Sequence, residues 1–301
     1  MFRRLAEYCL LAAVFLMLIA ESIFAPGVAE PASSQNSLIL EMMGKTNKTE
    51  IYNNIEFLQN YQTRYYGTDD NSKAATYLFN ELSKIPGLKV EYQNGNLKNI
   101  VATLPGLNNS SDEIVMIGAH YDSTSYPPEL APGATDNACG VAIVLELARI
   151  MSQYRFNHSI AFALWNCEEG GGIGSREFAN SARTNSLNIS LYINFDSSCY
   201  DPNNNCILDI MYNNKSQWAY DMIARDNMLY GINFTLTKNN YTCYSDHTSF
   251  WENDYAALMT HSEHGPDDSI DDTIDKVSQE YALKNGQIGM ILAAQIAEFV
   301  D

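Results

Sequence analysis

The sequence predicts an α/β fold, a three-layer α/β/α sandwich built on a central mixed, mostly parallel sheet. Strand-like apolar runs such as "IVMIGA" and "IAFALW" alternate along the chain with segments of helical periodicity. The runs are apolar without interruption, which is typical of strands that helices cover on both faces. With 301 residues, 46% of them apolar, the chain is long enough to bury one large core.

Apolar residues at helical spacing define the predicted helices. The first two, over 50–61 and 71–85, end near Gly or Pro, as helices commonly do. Residues 139–154 form a long amphipathic pattern, and residues 279–300 close the chain as a helix. Shorter helical patterns cover residues 174–182 and 216–231.

Short apolar runs bounded by turn residues define the predicted strands. The first three cover 88–93, 99–106 and 113–123, and the next, over 159–171, runs into glycines. Ligands of open α/β sheets bind where the strands end at their carboxyl edge, so functional residues are expected at these ends. The remaining predicted strands cover residues 189–197, 206–213 and 256–262.

The N-terminus has the composition of an export signal. Arg3 and Arg4 precede an apolar run over residues 9–20, and Glu21 stops the run. This run is shorter than the ~20 apolar residues of a membrane span. We therefore expect a signal peptide or signal anchor over 1–25, a linker over 26–37 and a single catalytic domain over 38–301. Membrane association is expected only if the N-terminal segment stays uncleaved.

Two further features favour a secreted or cell-surface protein. Cys199 and Cys206 bracket a turn-rich segment that a disulfide could close in an oxidising compartment. Asn-X-Ser/Thr sequons, the acceptors of N-glycosylation, are dense along the chain. They begin at Asn47, Asn108, Asn109, Asn157, Asn188, Asn214, Asn233 and Asn240.

The charge of the chain excludes one class of partner. It has 36 acidic and 18 basic residues, for a formal net charge of −18. Such a chain is a poor partner for phosphate backbones and for anionic membrane surfaces. No nucleic-acid binding is expected.

Carboxylates and one histidine fall where apolar strands give way to loops. Taken singly, each has an ordinary structural role, such as a helix cap for the Asp in "GATDNACG". Together they would repel one another unless a cation neutralised them. A divalent metal is the simplest such cation, and a set of His and carboxylate ligands suits zinc. The residues are His120, Asp122, Asp136, Glu168, Glu169 and Asp196.

The adjacent pair Glu168 and Glu169 suggests a division of labour. Neighbouring side chains on an extended segment point in different directions, so one can bind a metal while the other faces the metal-bound water. A metal lowers the pKa of that water from 15.7 to about 7. The second carboxylate can take the proton and return it to a leaving amine. This chemistry predicts a hydrolase, with peptide bonds as its natural target.

Five motifs, in order, resemble those of the secreted di-zinc aminopeptidases of metallopeptidase clan MH. They are "GAHYDS", "GATDNACGVAIVLELAR", "WNCEEGGGIGSREFAN", "NFDSS" and "YSDHTSFW". The relatives of that family include glutamate carboxypeptidase, the transferrin receptor ectodomain and glutaminyl cyclase. The likeness runs from about Ile51 to the C-terminus. It implies a monomeric enzyme that acts on peptides with a free N-terminus.

The resemblance implies a site with two zinc ions. Asp136 would bridge the two ions, His120 and Asp196 would complete one, and Glu169 would help to hold the other. The substrate amine would lie near this acidic cluster, which favours cleavage from the N-terminus.

The resemblance also implies roles for residues other than the metal ligands. Glu168 would be the general base. Asp122 would orient His120 from behind, as ligating histidines generally require. His247 falls at a family "SDH" element near the pocket, where a pocket-lining or structural role is expected, with Tyr241 and Tyr244 nearby.

The chain departs from the family at the last ligand of the second zinc. The family has a His four residues before an Asp-Thr pair, whereas Asp268 lies four residues before Asp272. In one reading Asp268 is the ligand, which makes the metal a weaker Lewis acid and favours manganese or cobalt as alternatives to zinc. In a second reading His264 or His261 reaches the metal. In a third the site is degraded.

The leading hypothesis is therefore an exported zinc aminopeptidase. One alternative is a glutaminyl-peptide cyclotransferase that uses one zinc, which the intact His120 and Asp196 disfavour. The other is a non-catalytic binding ectodomain on a peptidase scaffold.

Overall fold

The computed structural model describes residues 34–93, 95, 97–238 and 244–300. The described chain falls into two units divided after Leu38. The first contributes only residues 34–38, which are the start of a helix, and the second runs from Ile39 to the end. The predicted signal segment lies outside the described residues. Helical structure begins at Ser34, inside the span with linker composition.

The helices follow local capping signals. The Asn47 side chain accepts hydrogen bonds from the N–H groups of Thr49 and Glu50, so a helix begins at the next residue, Lys48. Thr68 caps another helix through the N–H of Asn71. The helices are α1 Ser34–Gly44, α2 Lys48–Gln59, α3 Asp69–Ser83, α4 Cys139–Met151, α5 Ile173–Thr184, α6 Gln217–Leu229, α7 Asp246–Glu252 and α8 Gln279–Ala297.

Within the described ranges, eight strands, numbered in chain order, form one sheet in the order β1-β2-β4-β3-β5-β8-β6-β7. Four pairings are parallel (β3–β4, β3–β5, β5–β8, β6–β7) and three are antiparallel (β1–β2, β2–β4, β6–β8). The predicted mixed, mostly parallel sheet is thus confirmed. The strands are β1 Lys89–Gln93, β2 Asn99–Leu104, β3 Glu113–His120, β4 Ser159–Trp165, β5 Asn188–Phe195, β6 Ile207–Tyr212, β7 Thr235–Lys238 and β8 Ala257–His261.

Alternate residues of the central strands enter two separate cores. In β4, Phe162 and Leu164 join the larger core, which includes residues of α2, α4 and α8. Ala163 and Trp165 join the smaller core, which includes residues of α5 and Phe250 of α7. Because successive side chains of a strand point to opposite faces, the sheet is covered on both faces. This arrangement confirms the predicted three-layer α/β/α sandwich.

Three short elements were not predicted from the sequence. They are the helix Ser34–Gly44, the four-residue strand Thr235–Lys238 and the seven-residue helix Asp246–Glu252. The predicted strand over 159–171 ends earlier, at Trp165, because the residues after it form a tight turn. Among the described residues, no helix has both the length and the apolar character needed to cross a bilayer.

Candidate metal centre

The parallel pairing of β3 with β5 brings His120 and Asp196 together. His120 ends β3, and Asp196 directly follows β5. The His120 Nε2 atom lies 3.3 Å from Asp196 Oδ1 and 3.2 Å from Asp136 Oδ1. Asp136 comes from the irregular turn Ala134–Ala138, which leads into α4. These three residues each offer one ligand atom, and the three atoms lie within 4.8 Å of one another.

A second group of ligand atoms shares Asp136 with the first. Asp136, Glu169 and Asp268 each offer one carboxylate oxygen, and these oxygens also lie within 4.8 Å of one another. Glu169 lies on the turn that follows β4, and Asp268 lies on the loop that follows β8. The two groups therefore adjoin at one aspartate. This is the arrangement in which one carboxylate can bridge two metal ions.

The donor set fits a divalent metal. The Glu169 Oε1 atom is buried, and no described residue gives it a hydrogen bond. Among the described ion pairs, none joins a Lys or Arg to Asp136, Glu169, Asp196 or Asp268. Buried polar atoms are seldom left without a partner. One imidazole and four carboxylates around an unsatisfied oxygen suit zinc or a similar ion.

Burial and mutual repulsion shift the pKa values of the ionisable groups in this cluster. Burial raises the pKa of Asp136 to about 8 and raises the pKa of Glu169 well above its ordinary value. Burial alone would lower the pKa of His120, but Asp196 and the neighbouring carboxylates raise it well above 6.5. The metal-free cluster therefore holds protons near neutral pH. A metal must displace them, so metal affinity should rise with pH.

Asp122 holds two parts of the cluster in place. Its Oδ1 lies 3.5 Å from His120 Nδ1, and its backbone carbonyl lies 3.2 Å from the same nitrogen. The two carboxylate oxygens accept the N–H groups of Glu168 and Glu169 at 3.1 and 3.2 Å. Asp122 is fully buried. One side chain thus orients both the imidazole and the Glu168–Glu169 turn.

Asp272 holds the turn that carries Asp136, a role not predicted from the sequence. Its Oδ1 accepts hydrogen bonds from the N–H and the hydroxyl of Thr135, at 2.8 and 2.6 Å. Its Oδ2 accepts the N–H of Asp136 at 2.9 Å. Burial raises the pKa of Asp272 to about 6. The Asp-Thr pair that served as a spacing marker therefore supports the shared ligand directly.

Arg64 also supports this turn, a second role that was not predicted from the sequence. Its guanidinium is fully buried, and its hydrogen bonds to the described residues all go to backbone carbonyls. These carbonyls belong to Leu58, Tyr121, Pro132 and Gly133. The contact from Arg64 Nη2 to the Gly133 carbonyl is 2.8 Å. Arg64 thus joins the end of β3 to the segment that precedes Asp136.

The element "SDH" places two buried ionisable groups beside the cluster. Neither carboxylate oxygen of Asp246 and neither ring nitrogen of His247 has a hydrogen-bond partner among the described residues. Burial raises the pKa of Asp246 to about 7 and lowers the pKa of His247 to about 3. The His247 ring packs edge-on against Trp251, with centroids 4.4 Å apart. His247 joins none of the metal-ligand groups among the described residues.

Of the two tyrosines expected near His247, Tyr244 lies within the described residues. Tyr244 is exposed, and its hydroxyl donates to the Gly171 carbonyl at 3.2 Å. Tyr241 lies outside the described residues.

The two histidines of the 261–268 loop do not join the groups that share Asp136. His261 and His264 form a separate group with Asp267. Within the described residues, Asp268 is therefore the loop residue that lies with Asp136 and Glu169.

The disulfide differs from the predicted one. Cys199 is bonded to Cys139, 60 residues away, and Cys206 is free and half-buried. The prediction of a Cys199–Cys206 pair was therefore wrong. Cys199 lies in the core after β5, where it meets the first residue of α4. The bond links the segments that carry Asp136 and Asp196, each three residues before its cysteine.

Known proteins resemble this chain in sequence. "Leucine aminopeptidase 1" of Phaeosphaeria nodorum is 25% identical over 293 residues, which cover 87% of this chain and 74% of that protein. A "probable leucine aminopeptidase" of Trichophyton verrucosum is also 25% identical, over 85% of this chain and 75% of that protein.

Solved structures share the fold. LapA of Legionella pneumophila aligns with a TM-score of 0.77 at 18% identity, over 87% of this chain and 76% of that chain. An aminopeptidase from Aneurinibacillus gives 0.74 at 18% identity, over 87% and 97%. Glutaminyl cyclase of Fimbriiglobus ruber gives 0.69 at 17% identity, over 82% and 95%.

The chain also matches the model of a whole protein family. The model of peptidase family M28 matches residues 99–293, which run from the start of β2 into α8 and include every residue of the two adjoining ligand groups. This span is about two thirds of the chain. The chain belongs to peptidase family M28.

Proposed function

We propose that this protein is an exported, metal-dependent aminopeptidase that removes the N-terminal residue of peptides. The observation that carries the proposal is the pair of ligand groups that adjoin at Asp136, with Glu168 on the adjacent turn. The names of the M28 relatives, leucine aminopeptidases, support the reaction class.

Two divalent ions, zinc in the first place and manganese or cobalt as alternatives, would occupy the centre. His120, Asp136 and Asp196 would hold one ion, and Asp136, Glu169 and Asp268 the other. Such ions supply Lewis acidity and lower the pKa of water toward 7. The unsatisfied Glu169 oxygen supports a ligand role for that residue.

Glu168 would be the general base. Its N–H is held by Asp122, and its carbonyl accepts the N–H groups of Gly171 and Gly172, both at 2.7 Å. These contacts fix the turn, so the carboxylate needs little reorganisation to act. Burial raises the pKa of Glu168 well above its ordinary value. A carboxylate with a raised pKa can take a proton from the attacking water and return it to the leaving amine.

The acidic cluster would also bind the substrate. A peptide with a free N-terminus brings an ammonium group, and the field of the carboxylates attracts it. Contacts to the side chains or the C-terminus of the substrate would not by themselves favour cleavage of its N-terminal bond. This electrostatic preference supports an aminopeptidase that acts on peptides with a free N-terminus.

We further propose a signal peptide or anchor over 1–25, a linker over 26–37 and a catalytic domain over 38–301, exported to the cell surface or beyond. Six sequon asparagines are exposed, so they can accept glycans: Asn47, Asn108, Asn109, Asn188, Asn214 and Asn233. Asn157 is half-buried, and Asn240 lies outside the described residues. The Cys139–Cys199 disulfide supports an oxidising compartment.

The central experiment compares Glu168→Gln with Glu177→Gln, a control that removes an exposed carboxylate of α5. Each purified protein is assayed for bound metal and for release of nitroaniline from aminoacyl-nitroanilides. We expect Glu168→Gln to keep its metal and lose roughly 10²- to 10⁴-fold in kcat. Glu177→Gln should match the wild type, and a chelator should abolish wild-type activity.

Other outcomes would replace the proposal. Full activity in Glu168→Gln would remove Glu168 from the reaction. Cyclisation of an N-terminal Gln by protein that holds one zinc would favour a cyclotransferase. Wild-type protein without metal at micromolar zinc would favour a non-catalytic ectodomain.

A further inference from the structure

A third group of metal-ligand atoms lies next to the two that share Asp136. His261, His264 and Asp267 each offer one atom, and the three atoms lie within 4.8 Å of one another. His261 is the last residue of β8, and the other two lie on the loop that follows. The rings of His261 and His264 meet with centroids 5.2 Å apart. A rigid strand end and a short loop therefore present two imidazoles and a carboxylate to one point.

The imidazoles have no other described role. His261 is 4% exposed, yet its ring forms no hydrogen bond or ion pair with the described residues, and its recorded hydrogen bond uses the backbone carbonyl. The His264 ring likewise has no such partner within the described chain, and it is exposed to solvent. An imidazole whose nitrogens bond no described residue can still take a partner, because neutral imidazole is the commonest metal ligand. A metal ion, which can enter from the His264 side, would supply one.

The donor set indicates the class of ion. Two imidazoles and one carboxylate form the three-ligand pattern of zinc sites that keep a fourth position open. Imidazole also suits copper, nickel and cobalt, whereas calcium and magnesium prefer oxygen ligands alone. The strongly acidic chain, with a formal charge of −18, raises the local concentration of cations.

The loop divides its two aspartates between two clusters. The Asp267 carboxylate lies with the histidines, whereas the carboxylate of Asp268, the next residue, lies with Asp136 and Glu169. Asp268 has a left-handed backbone with φ of 57°, a conformation that Asp tolerates better than most residues. An ion held by Asp267 would therefore anchor the residue directly before a ligand of the catalytic centre.

A second contact joins the two clusters. The Thr135 hydroxyl donates to Asp272 at 2.6 Å and lies 3.3 Å from Asp267 Oδ1. Thr135 directly precedes Asp136, the ligand that both groups of the centre share. The histidine cluster therefore adjoins two segments that carry proposed ligands of the centre. Asp267 directly precedes Asp268, and Thr135, which contacts Asp267, directly precedes Asp136.

We propose that His261, His264 and Asp267 form a third divalent-metal site, for zinc or another late transition ion. When this site is occupied, it holds the loop so that Asp268 stays against the catalytic centre. The third site is separate from the centre and is not required for the chemical step. Its loss should therefore weaken metal retention by the centre without abolishing activity.

The test measures metal stoichiometry of the full exported chain at equilibrium with buffered micromolar free zinc. The variants are His264→Gln and Asp267→Asn, with His158→Gln as a matched control for loss of an imidazole that lies away from the cluster. We expect three zinc equivalents in the wild type and in His158→Gln, and two in each loop variant. Zinc release to a chelator should be several-fold faster from the loop variants.

A spectroscopic readout tests the ligands directly. With cobalt as the probe, His264→Gln should remove one component of the visible absorption and leave the remainder. Equal stoichiometry in the wild type and both loop variants would overturn the proposal. So would a His264→Gln protein that falls below two equivalents and loses activity, since His264 would then belong to the catalytic centre. The equivalents are counted without substrate, so an inactive wild type would leave this result intact.

Discussion

The Asp122 carboxylate accepts the backbone N–H of Glu168 at 3.1 Å. The same carboxylate holds the next N–H, that of Glu169, and faces His120. The position of the proposed base is thus tied to the position of a proposed ligand through one buried side chain.

We predict that Asp122→Asn lowers kcat/KM and zinc affinity, each by roughly 10- to 100-fold. The amide keeps an acceptor oxygen for only one of the N–H groups of Glu168 and Glu169, and its NH2 donor faces the other. Steady-state kinetics and competition with a chromogenic chelator measure the two effects. Asp112→Asn, which changes an exposed aspartate bonded to Asn188, is the control. Unchanged zinc affinity and kinetics in Asp122→Asn would refute the supporting role.

Asp272→Asn should loosen the turn that carries Asp136. The variant replaces one of the two oxygens that accept the N–H groups of Thr135 and Asp136. A buried group left without its partner costs about 1–3 kcal/mol. We expect that loss in the free energy of unfolding by urea, together with weaker zinc binding. Asp271→Asn, at an exposed neighbour, should change neither quantity. Wild-type stability in Asp272→Asn would contradict the role of this side chain.

The metal-free protein should lose stability as the pH rises, in part through Asp246. Its pKa is about 7 in the folded state, because of burial, and about 3.9 in the unfolded chain. The folded state therefore binds the proton more tightly. This contribution to stability is fully present below about pH 4 and is lost as the pH rises through about 7.

Asp246→Asn should flatten that dependence. The measurement is the free energy of unfolding of chelator-treated protein at pH 5 and pH 8. The difference between the two values should be smaller in Asp246→Asn than in the wild type. Asp209→Asn, on strand β6, is the control. An identical difference in Asp246→Asn and the wild type would show that Asp246 does not titrate in this range.

Asp268→His should lower the pKa of water bound at the proposed metal centre. The substitution removes one of four carboxylates and adds the imidazole that the family pattern has at this position. With less negative charge around them, the ions become stronger Lewis acids. We expect the rising limb of the kcat/KM–pH profile to move to lower pH, and the preference for zinc over manganese to increase. A shift to higher pH would place Asp268 outside the ligand set.

Sequence patterns predicted the parts of the centre that depend on strand ends. His120 and Asp196 follow long apolar runs, and parallel neighbouring strands must bring such ends to one edge. Arg64 and Asp272 gave no comparable signal, because their partners are mostly backbone groups that any sequence would supply.

The disulfide shows a different limit of sequence reasoning. Cys206 is close to Cys199 along the chain, but β5 delivers Cys199 to the start of α4. Proximity in sequence was a poor guide because the chain between the two cysteines leads outward to β6, whereas Cys199 turns into the core. The short elements β7 and α7 were missed because four and seven residues are too few for a clear period.

The Cys139–Cys199 bond links metal uptake by the proposed centre to the redox conditions under which the protein folds. The bond ties together the two segments that would each donate a carboxylate to the same ion in the proposed centre. A chain that folds among reducing thiols would have to hold these loops together by packing alone. Recombinant protein from a reducing cytosol should thus take up zinc less completely than protein from an oxidising secretory route. Thiol oxidation would act as a maturation step that precedes metal loading.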